Sequence, residues 1–405
     1  MKQLLLLTFI AGWLKSLEMA LRIMILVPGF PVQREKIKGG VHAAVQNLLL
    51  GFENLDVKVR LVSIDPALQQ DSLVVWNDRV EVQYCAVRKM PAKMLSYLLY
   101  GPAILKRNIF AFKPDIIHYQ IGGNFLLTRF GVKKTLPYLL TIHGISLEEA
   151  KVNRGLKKKL TMYWNGYITQ LLRPRNIINI SAYSKALVNI PDNTKHPIIY
   201  NAVAQAFFNI PVKAEMTNRL LYVGVINERK NLMALLEAMA QLKAEGIIYK
   251  LSVVGGADLD KGYFDLVQEF AGLKIEGQVN FLGWRGQTEL LGLLGSHDLV
   301  VLPSRQETLP MSVAEAMGAG KVVVVSNVGG LPEMVTNQET GFLFDPFNVD
   351  ELKNILQELN KNDELVQQVG TRAKTFAQEK FDNHQIAQQT LNYYTTILAA
   401  DSTSV

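Results

Sequence analysis

Two glutamates at a predicted helix start are the residues of this chain best placed to do chemistry. Glu307 and Glu315 belong to the run P-S-R-Q-E-T-L-P-M-S-V-A-E-A-M-G-A-G at residues 303–320, which follows a buried-strand pattern. An apolar helical pattern begins near Pro310, so one carboxylate precedes the helix and the other lies inside it. Free amides at a helix start attract phosphate, and carboxylates beside them accept hydrogen bonds from sugar or ribose hydroxyls. The alternative is a Glu307 that caps the helix and a solvated Glu315.

The residues after this run favour a ligand site. Lys321 begins a second buried-strand pattern, and Gly329, Gly330 and Glu333 mark a glycine turn that opens another helix. The whole stretch 307–333 reads E-T-L-P-M-S-V-A-E-A-M-G-A-G-K-V-V-V-V-S-N-V-G-G-L-P-E. It resembles the donor-site signature of the retaining GT-B glycosyltransferases of family four. The resemblance is strong in the second half of the chain and looser in the first.

The composition is that of a globular protein large enough for two domains. The 405 residues are 49% hydrophobic and 20% charged, and Cys85 is the single cysteine. One cysteine excludes an intrachain disulfide and any cysteine-clustered zinc site, which suits a reducing cytoplasm. The net charge of +7 favours anionic partners such as nucleotide diphosphates or acidic lipids. Nucleic acid is not expected, because no nucleic-acid-binding motif accompanies the charge.

Each half of the chain opens with a strand, a glycine loop and a helix, which predicts an α/β fold. Together with the resemblance, this pattern predicts the GT-B architecture, in which two Rossmann-like domains with parallel sheets face a central cleft. The expected parts are an N-terminal acceptor domain over 19–203, a linker over 204–218, a nucleotide-sugar donor domain over 219–375, and a C-terminal helix over 376–398 that crosses back to the N-terminal domain.

The first residues imitate a signal peptide. Lys2 precedes an apolar run that is shorter than the roughly 20 residues of a membrane span. From Met19 the letters become a natural first strand of an α/β domain. We therefore expect residues 1–18 to be either a short N-terminal extension or a misassigned start, and we favour the misassigned start.

Two cations stand where they can neutralise a diphosphate. Arg229 and Lys230 lie just before a predicted helix, so their charges and the helix amides can act on the same leaving group. By resemblance, Lys230 matches a lysine of the family's donor site, whereas Val225 occupies the position of the family's arginine. We expect Arg229 to take the place of that arginine.

A histidine at a strand end of the N-terminal domain is a candidate for the site. His143 follows the strand pattern at 139–142, and ligands collect at the carboxyl ends of strands in open parallel sheets. The resemblance implies that His143 lies beside the transferred sugar, and the alternative is a loop histidine with a structural role. His118, at the end of another strand pattern, is a secondary candidate. No residue stands out as a covalent nucleophile.

The resemblance implies transfer of a hexose from a UDP- or GDP-sugar to a hydroxyl of a glycan or lipid-linked acceptor, with retention at the anomeric carbon. No cofactor and no metal are expected. Asp258 and Asp260 spell a D-x-D motif, but they follow a glycine turn and are expected to form a surface loop. The residues expected at the reacting centre are His143, Glu307, Arg229 and Lys230. The residues expected to bind the donor are Gly39, Gly40, Gly224, Gly255, Arg229, Lys230, Glu307, Leu309, Pro310, Met311, Ser312 and Glu315.

The roles expected of the residues around the donor are distinct. Glu315 would accept the ribose hydroxyls and Glu307 the hydroxyls of the donor sugar. Met311, Ser312 and Val313 would supply helix-start amides.

Two basic stretches rich in aromatic residues suggest a surface that binds anionic membrane. There is no acidic residue in either of these stretches, which are residues 88–113 and residues 151–175. Tyr163, Trp164 and Tyr167 are interleaved with the cations of the second stretch. Each cation near an anionic leaflet contributes about 1 kcal/mol. The alternative is an ordinary solvated face. A cytoplasmic protein, peripheral at the inner face of the cytoplasmic membrane, is therefore expected.

Two other functions fit parts of the pattern. One is a catalytically silent subunit that binds a sugar nucleotide or polysaccharide, and the other is a GT-B nucleotide-sugar epimerase. A dehydrogenase is disfavoured because no G-x-G-x-x-G follows the first strand. Synthesis of surface polysaccharide or glycolipid is the usual context of the resembled family.

Overall fold

Two β-sheets, each built from one half of the chain, form the framework of the computed structural model. The structure describes residues 20–33, 37, 39–90, 93–130, 132, 136–152, 155–172, 174–188, 196–212, 217–257 and 261–402. The expectations for residues 1–18 and for the loop at 258–260 lie outside this part of the chain.

The first sheet has seven strands in the order β3-β4-β2-β1-β5-β6-β7. All neighbours pair in parallel except β3 and β4, which are antiparallel. The strands are β1 (Leu21–Pro28), β2 (Val57–Asp65), β3 (Ser72–Val75), β4 (Val80–Ala86), β5 (Ile116–Tyr119), β6 (Tyr138–Ile142) and β7 (Ile177–Asn179).

The continuous apolar run of β1 is explained by its central position. Ile23 and Ile25 pack into one hydrophobic cluster, whereas Met24 and Leu26 pack into another. Because successive side chains point to opposite faces, both faces of this strand are buried, as is usual for parallel sheets. The strand pattern predicted at 139–142 is part of β6.

The second sheet has six parallel strands in the order β10-β9-β8-β11-β12-β13. They are β8 (Arg219–Val223), β9 (Lys250–Val254), β10 (Val279–Gly283), β11 (Leu299–Leu302), β12 (Val322–Ser326) and β13 (Phe342–Phe344). In each sheet the strand order reverses beside the first strand, at β1/β5 and at β8/β11. Ligands of open parallel sheets bind in the crevice beyond such a reversal.

Helices connect these strands in the part of the chain that the structure describes. In the first half they are α1 (Gly40–Gly51), α2 (Lys93–Phe112), α3 (Ser146–Val152), α4 (Leu156–Leu172) and α5 (Ala182–Leu187), with short 3₁₀ turns at Phe52–Asn54 and Gly123–Arg129. In the second they are α6 (Gln205–Phe208), α7 (Leu232–Ala244), α8 (Gly262–Lys274), α9 (Gln287–Ser296), α10 (Met311–Gly318), α11 (Leu331–Met334), α12 (Val349–Asn360), α13 (Asp363–Phe381) and α14 (Asn383–Ser402). Among the helices that the structure describes, none is both long and apolar enough to cross a bilayer.

The segment between the two sheets is packed against the second one. Within the stretch 204–218, α6 contributes Phe207 and Phe208, which are buried in the core of the second half. A four-residue helix is too short to show a periodicity, and for that reason the sequence suggested only a connection here.

The last helix returns to the first half. The chain bends after α13, and α14 packs against α1, burying Ile386, Ala387 and Tyr394 in the first core. A second link joins the halves, because the Glu333 carboxylate accepts hydrogen bonds from the Ala182 and Tyr183 amides at 2.6 and 2.5 Å. A carboxylate from α11 thus satisfies free amides at the start of α5.

Candidate active site

A cleft of about 300 Å³ lies between the two halves, at the carboxyl ends of both sheets. Loops after β1 and β6 line it from the first half, and loops after β8 and β11 line it from the second. All but one of the residues predicted for the site line this cleft. They are Gly39, Gly40, His143, Gly224, Arg229, Lys230, Glu307, Leu309, Pro310, Met311, Ser312 and Glu315.

The exception is Gly255, which does not line the cleft but lies directly behind Gly224. Its φ is +135°, and a Cβ at this position would lie 1.9 Å from the Gly224 carbonyl oxygen. No side chain fits that contact, so glycine at 255 permits the backbone approach that shapes the loop after β8. Gly255 therefore supports the cleft from behind.

A buried ion cluster occupies the donor side of the cleft. The Lys230 Nζ lies 2.6 Å from Glu307 Oε1, and Arg229 Nη1 lies 3.5 Å from the same oxygen. Glu307 is 5% exposed and Lys230 is 9% exposed. Burial by itself would raise the pKa of Glu307, but Lys230 and Arg229 outweigh it and hold this pKa below its usual value. Burial lowers the pKa of Lys230, and Glu307 offsets part of that effect.

Arg229 and Lys230 share the Glu307 carboxylate, and both cations line the cleft. Charge-assisted hydrogen bonds to phosphate are strong, and they strengthen further where water is excluded. Val225, which stands at the position of the resembled family's arginine, also lines the cleft. Arg229, four residues later in the chain, lines the cleft as well, and its replacement of that arginine stays a prediction.

The loop that carries Glu307 is held in place by the glycine turn of G-G-L-P-E. A Cβ on Gly329 would lie 1.9 Å from the Glu307 carbonyl oxygen, and a Cβ on Gly330 would lie 1.8 Å from that of Thr308. The Gly330 amide also donates to the Glu307 carbonyl oxygen at 3.2 Å. On the other side, the Arg229 guanidinium donates to the Gln306 carbonyl oxygen at 2.8 Å. These contacts fix the backbone on both sides of the carboxylate.

Helix α10 begins at the cleft. Pro310 precedes it without any side-chain cap, and the first turn contains no acidic residue. Met311 and Ser312 face the cleft, and the α10 start approaches the first half where Met311 Cγ comes within 3.6 Å of the position that a Cβ on Gly40 would take. The expectation for the Val313 amide was wrong, because it donates to the Pro310 carbonyl oxygen at 3.1 Å.

Glu315 lies one turn into α10, and its carboxyl is buried with no cation beside it in the part of the chain that the structure describes. It is 6% exposed, and burial raises its pKa to about 8. The prediction of a solvated side chain, which was the alternative for this residue, is therefore wrong. The carboxyl has no hydrogen-bond partner among the residues that the structure describes, so a ligand hydroxyl would find an unused acceptor here.

His143 enters the cleft from the end of β6. Its Nε2 lies 2.8 Å from Gln120 Oε1. Burial lowers the pKa of His143 to about 4, His42 acts in the same direction, and Asn201 opposes them. His118 does not reach the main cleft, because its ring is buried between Thr141 and Tyr394.

Several cleft residues escaped the sequence analysis. Glu149, from α3, brings a carboxylate from the first half to the cleft and interacts electrostatically with both Arg229 and Lys230. Gln287 joins the halves, since it accepts from Gln46 at 3.1 Å and donates to Asn47 at 3.2 Å. Isolated polar residues of this kind carry no spacing signal that would reveal them.

Over the described residues, no group of three or more His, Cys, Asp or Glu side chains is arranged to hold an ion.

Two protein families match the chain in adjoining parts. Glycosyltransferase Family 4 matches residues 38–205, and Glycosyl transferases group 1 matches residues 203–376. An uncharacterized glycosyltransferase of Methanocaldococcus jannaschii is 26% identical over 343 residues, which cover 84% of this chain and 90% of that relative.

Solved structures share the two-sheet architecture. Sucrose-phosphate synthase from Thermosynechococcus elongatus has a TM-score of 0.77 at 20% identity, over 94% of this chain and 100% of that one. HepE of Anabaena, solved in complex with UDP-glucose, has a TM-score of 0.69 at 18% identity, over 95% of this chain and 100% of its own. At these identities the likeness establishes the fold.

The raised pKa of Glu315 predicts a pH-dependent stability. The folded pKa is about 8, against about 4.3 in an unfolded chain, so between these values the folded protein binds the additional proton. The free energy of unfolding therefore contains a contribution that is present below pH 4 and is lost as the pH rises through 8. Glu315→Gln cannot ionise, so we expect it to become more stable relative to wild type between pH 5 and pH 9.

Urea unfolding at pH 5, 7 and 9 measures this difference. The control is Glu358→Gln, which changes an exposed glutamate of α12 and should run parallel to wild type. Parallel curves for Glu315→Gln and wild type would show that Glu315 does not titrate near pH 8.

Proposed function

Because the chain belongs to family four of the glycosyltransferases and has their GT-B fold, we propose that it transfers a hexose from a nucleoside diphosphate sugar to an acceptor hydroxyl with retention of the anomeric configuration. The observation that carries this proposal is the buried cluster of Arg229, Lys230 and Glu307 beside the start of α10. This cluster places cations that can bind a diphosphate and a carboxylate that can bind sugar hydroxyls in one cleft.

The diphosphate would lie against the two cations and the start of α10. Its negative charge increases as the bond between the sugar and the phosphate breaks, and the cations stabilise that developing charge. Amides at the start of α10 add to the same field. A UDP- or GDP-sugar fits this arrangement, and the presence of UDP-glucose in the HepE structure supports a nucleotide-sugar donor. The proposal requires neither a metal nor a cofactor.

The two carboxylates would orient the rest of the donor. Glu307, next to the phosphate-binding cations, accepts hydrogen bonds from hydroxyls of the sugar. Glu315, deeper in α10, accepts hydrogen bonds from the hydroxyls of the ribose. Its carboxyl offers an acceptor oxygen to these hydroxyls whether it is ionised or protonated. His143 would contact the transferred sugar from the first domain, so that the reaction requires both domains.

Transfer with retention would proceed on one face of the sugar. The bond from the anomeric carbon to the phosphate oxygen breaks, and the acceptor oxygen forms its new bond on the same side. The leaving phosphate receives the proton that the acceptor hydroxyl loses. Glu307 shares its charge with Lys230, which suits a binding role better than nucleophilic attack on the sugar.

Removal of the ion cluster should stop turnover. Glu307→Ala or Lys230→Ala is expected to lower kcat about 10² to 10³-fold, because each change removes a group that acts on charge in the transition state. The measurement is nucleotide release from candidate nucleotide sugars, with and without acceptor, at a temperature where each variant is folded by circular dichroism.

The matched controls are Glu245→Ala and Lys353→Ala, which break an ion pair of 3.0 Å far from the cleft. They should leave kcat unchanged. Near-normal rates for both cleft variants would refute the proposed donor site. Conversion of the donor sugar without an acceptor would instead indicate an epimerase, and nucleotide binding without any turnover would indicate a silent subunit.

Helix α4 offers a surface for a membrane that carries the acceptor. Six large apolar side chains at helical spacing are exposed on it, each by 46% or more: Leu156, Leu160, Tyr163, Trp164, Tyr167 and Leu171. Lysines follow the first of them at 157, 158 and 159. Basic charge combined with an exposed apolar and aromatic face suits an anionic bilayer. We propose that α4 holds the enzyme at the inner face of the cytoplasmic membrane, for synthesis of surface polysaccharide or glycolipid.

The other basic stretch is less suitable. Arg107 of α2 lies 2.5 Å from the Asp71 carboxylate, so one of its cations is already neutralised by an acid from elsewhere in the chain. We assign the proposed docking role to α4 alone.

Replacement of Lys157, Lys158 and Lys159 by glutamine should weaken binding to vesicles of anionic phospholipid about tenfold or more, since each cation contributes about 1 kcal/mol. Co-sedimentation with anionic and with neutral vesicles measures the effect, and the unfolding temperature checks that the fold is intact. In the control, the same replacement by glutamine is made at Lys274, Lys361 and Lys380, three exposed lysines of the second half, and vesicle binding should not change. Equal vesicle binding by wild type and by the α4 variant would refute this docking role.

A further inference from the structure

A row of buried hydrogen bonds runs from the last helix to the cleft. The Tyr394 hydroxyl of α14 lies 2.6 Å from His118 Nδ1, and Gln120 Nε2 lies 3.2 Å from His118 Nε2. Gln120 Oε1 then lies 2.8 Å from His143 Nε2. Tyr394, His118 and Gln120 are each at most 2% exposed, so the row is shielded from solvent until it reaches His143.

The direction of these hydrogen bonds follows from the chemistry of the amide. An amide oxygen can only accept, so His143 Nε2 must carry a proton and donate to Gln120. Burial keeps the His143 ring neutral near pH 7, because its pKa is lowered to about 4. A neutral imidazole has a single N–H, and Nδ1 of His143 is therefore an acceptor.

The same orientation of the Gln120 amide determines the other end of the row. An amide nitrogen can only donate, so His118 Nε2 accepts from Gln120, and the Thr141 hydroxyl at 2.6 Å can donate to the same nitrogen. His118 is also held neutral, because burial lowers its pKa to about 3. Its Nδ1 then carries the proton and donates to the Tyr394 oxygen. Every donor in the row points away from the cleft, and such chains strengthen their members mutually.

Two features characterise the free end of this row. Nδ1 of His143 is buried and lacks a hydrogen-bond partner among the described residues. His143 lines a cavity of about 20 Å³ together with His118, Gln120 and Thr141, which is room for about one water molecule. The same histidine also lines the cleft. Since buried acceptors without a partner are costly, a ligand group in the cleft is the natural partner of Nδ1.

We propose that Gln120 is a positioning residue that holds His143 in the Nε2–H tautomer, so that Nδ1 accepts a hydrogen bond from a hydroxyl of the sugar in the cleft. This inference rests on the proposed function, in which His143 contacts the transferred sugar. The opposite tautomer would present an N–H to the cleft and would favour a carboxylate, phosphate or carbonyl oxygen instead. Gln120 therefore makes this position selective for a hydroxyl, although it does not touch the substrate.

The tautomer can be observed directly in the full-length protein. ¹⁵N-labelled histidine and NMR of the ring nitrogens distinguish a protonated Nε2 from a protonated Nδ1, and His143→Asn identifies the signals of His143. Wild type is expected to show the Nε2–H form at neutral pH without any ligand. A dominant Nδ1–H form would overturn the proposal whether or not the protein is a glycosyltransferase.

Two substitutions test the role of Gln120 in binding. Gln120→Leu removes the acceptor, so we expect a mixture of tautomers and a KM for the nucleotide sugar that is raised about tenfold, the worth of one hydrogen bond at the high end. Gln120→Glu keeps an acceptor oxygen and should retain the Nε2–H form with a smaller change in KM. The affinity for the nucleotide without its sugar should be unchanged in both variants.

The control is Gln278→Leu, the same substitution at a glutamine that is 9% exposed and lies before β10. It should leave both the tautomer and KM unchanged. If Gln120→Leu does not fold, the wild-type tautomer and Gln120→Glu still decide the question. A Gln120→Leu variant with a fixed Nε2–H form and normal KM would overturn the proposal, whereas wild type without any nucleotide binding would count against the proposed function.

Discussion

The buried contact between Lys230 and Glu307 is the interaction on which the rest of this site depends. Removing two charges from water is expensive, and their attraction repays that cost only when the geometry is good and neighbouring groups add hydrogen bonds. Loss of one partner would leave the other charge buried, at a cost of about 3–5 kcal/mol. A pair of this kind contributes little net stability. Its value is that it places strong, preorganised charge at one point of the cleft.

Most of the surrounding structure serves to keep that pair in place. The turn at Gly329 and Gly330 supports the backbone of Glu307 so closely that no side chain fits between them. The same G-G-L-P-E motif ends in Glu333, whose carboxylate accepts hydrogen bonds from the first amides of α5 in the other half. The position of the carboxylate loop and the attachment of the first domain are thus determined by one short motif. Helix α14 adds a second attachment through Tyr394, whose hydroxyl begins the row of hydrogen bonds that ends at His143.

Much of the fold could be predicted from the sequence, because it rests on local patterns. Buried parallel strands appear as continuous apolar runs, and the glycine loops after β1 and β8 mark the two places where the strand order reverses. The site was predictable where its residues lie in one stretch, as Glu307 and Glu315 do. The contact between Glu307 and Lys230 was not predictable, because nothing in either stretch of sequence indicates that the two side chains meet.

The remaining differences have the same physical origin. Gln120, Glu149 and Gln287 are single polar residues whose roles arise only when distant strands and helices meet. The basic stretch at 88–113 contains no acid of its own, yet Asp71 reaches Arg107 through the fold. For Glu315 the sequence left a solvated helix position open as the alternative, but the fold buries this side chain in the wall of the cleft. Tertiary contacts of this kind are not encoded in spacing along the chain.

The central claim is that this cleft binds a nucleoside diphosphate through α10 and the adjacent cations. Isothermal titration of the purified protein with UDP, GDP and ADP tests it most directly, with wild type and Glu315→Ala measured side by side. The account predicts that one nucleotide binds with a dissociation constant in the micromolar range, and that loss of the ribose acceptor weakens this binding about tenfold or more. Absence of binding by all three nucleotides, or equal affinity of the two proteins, would contradict it.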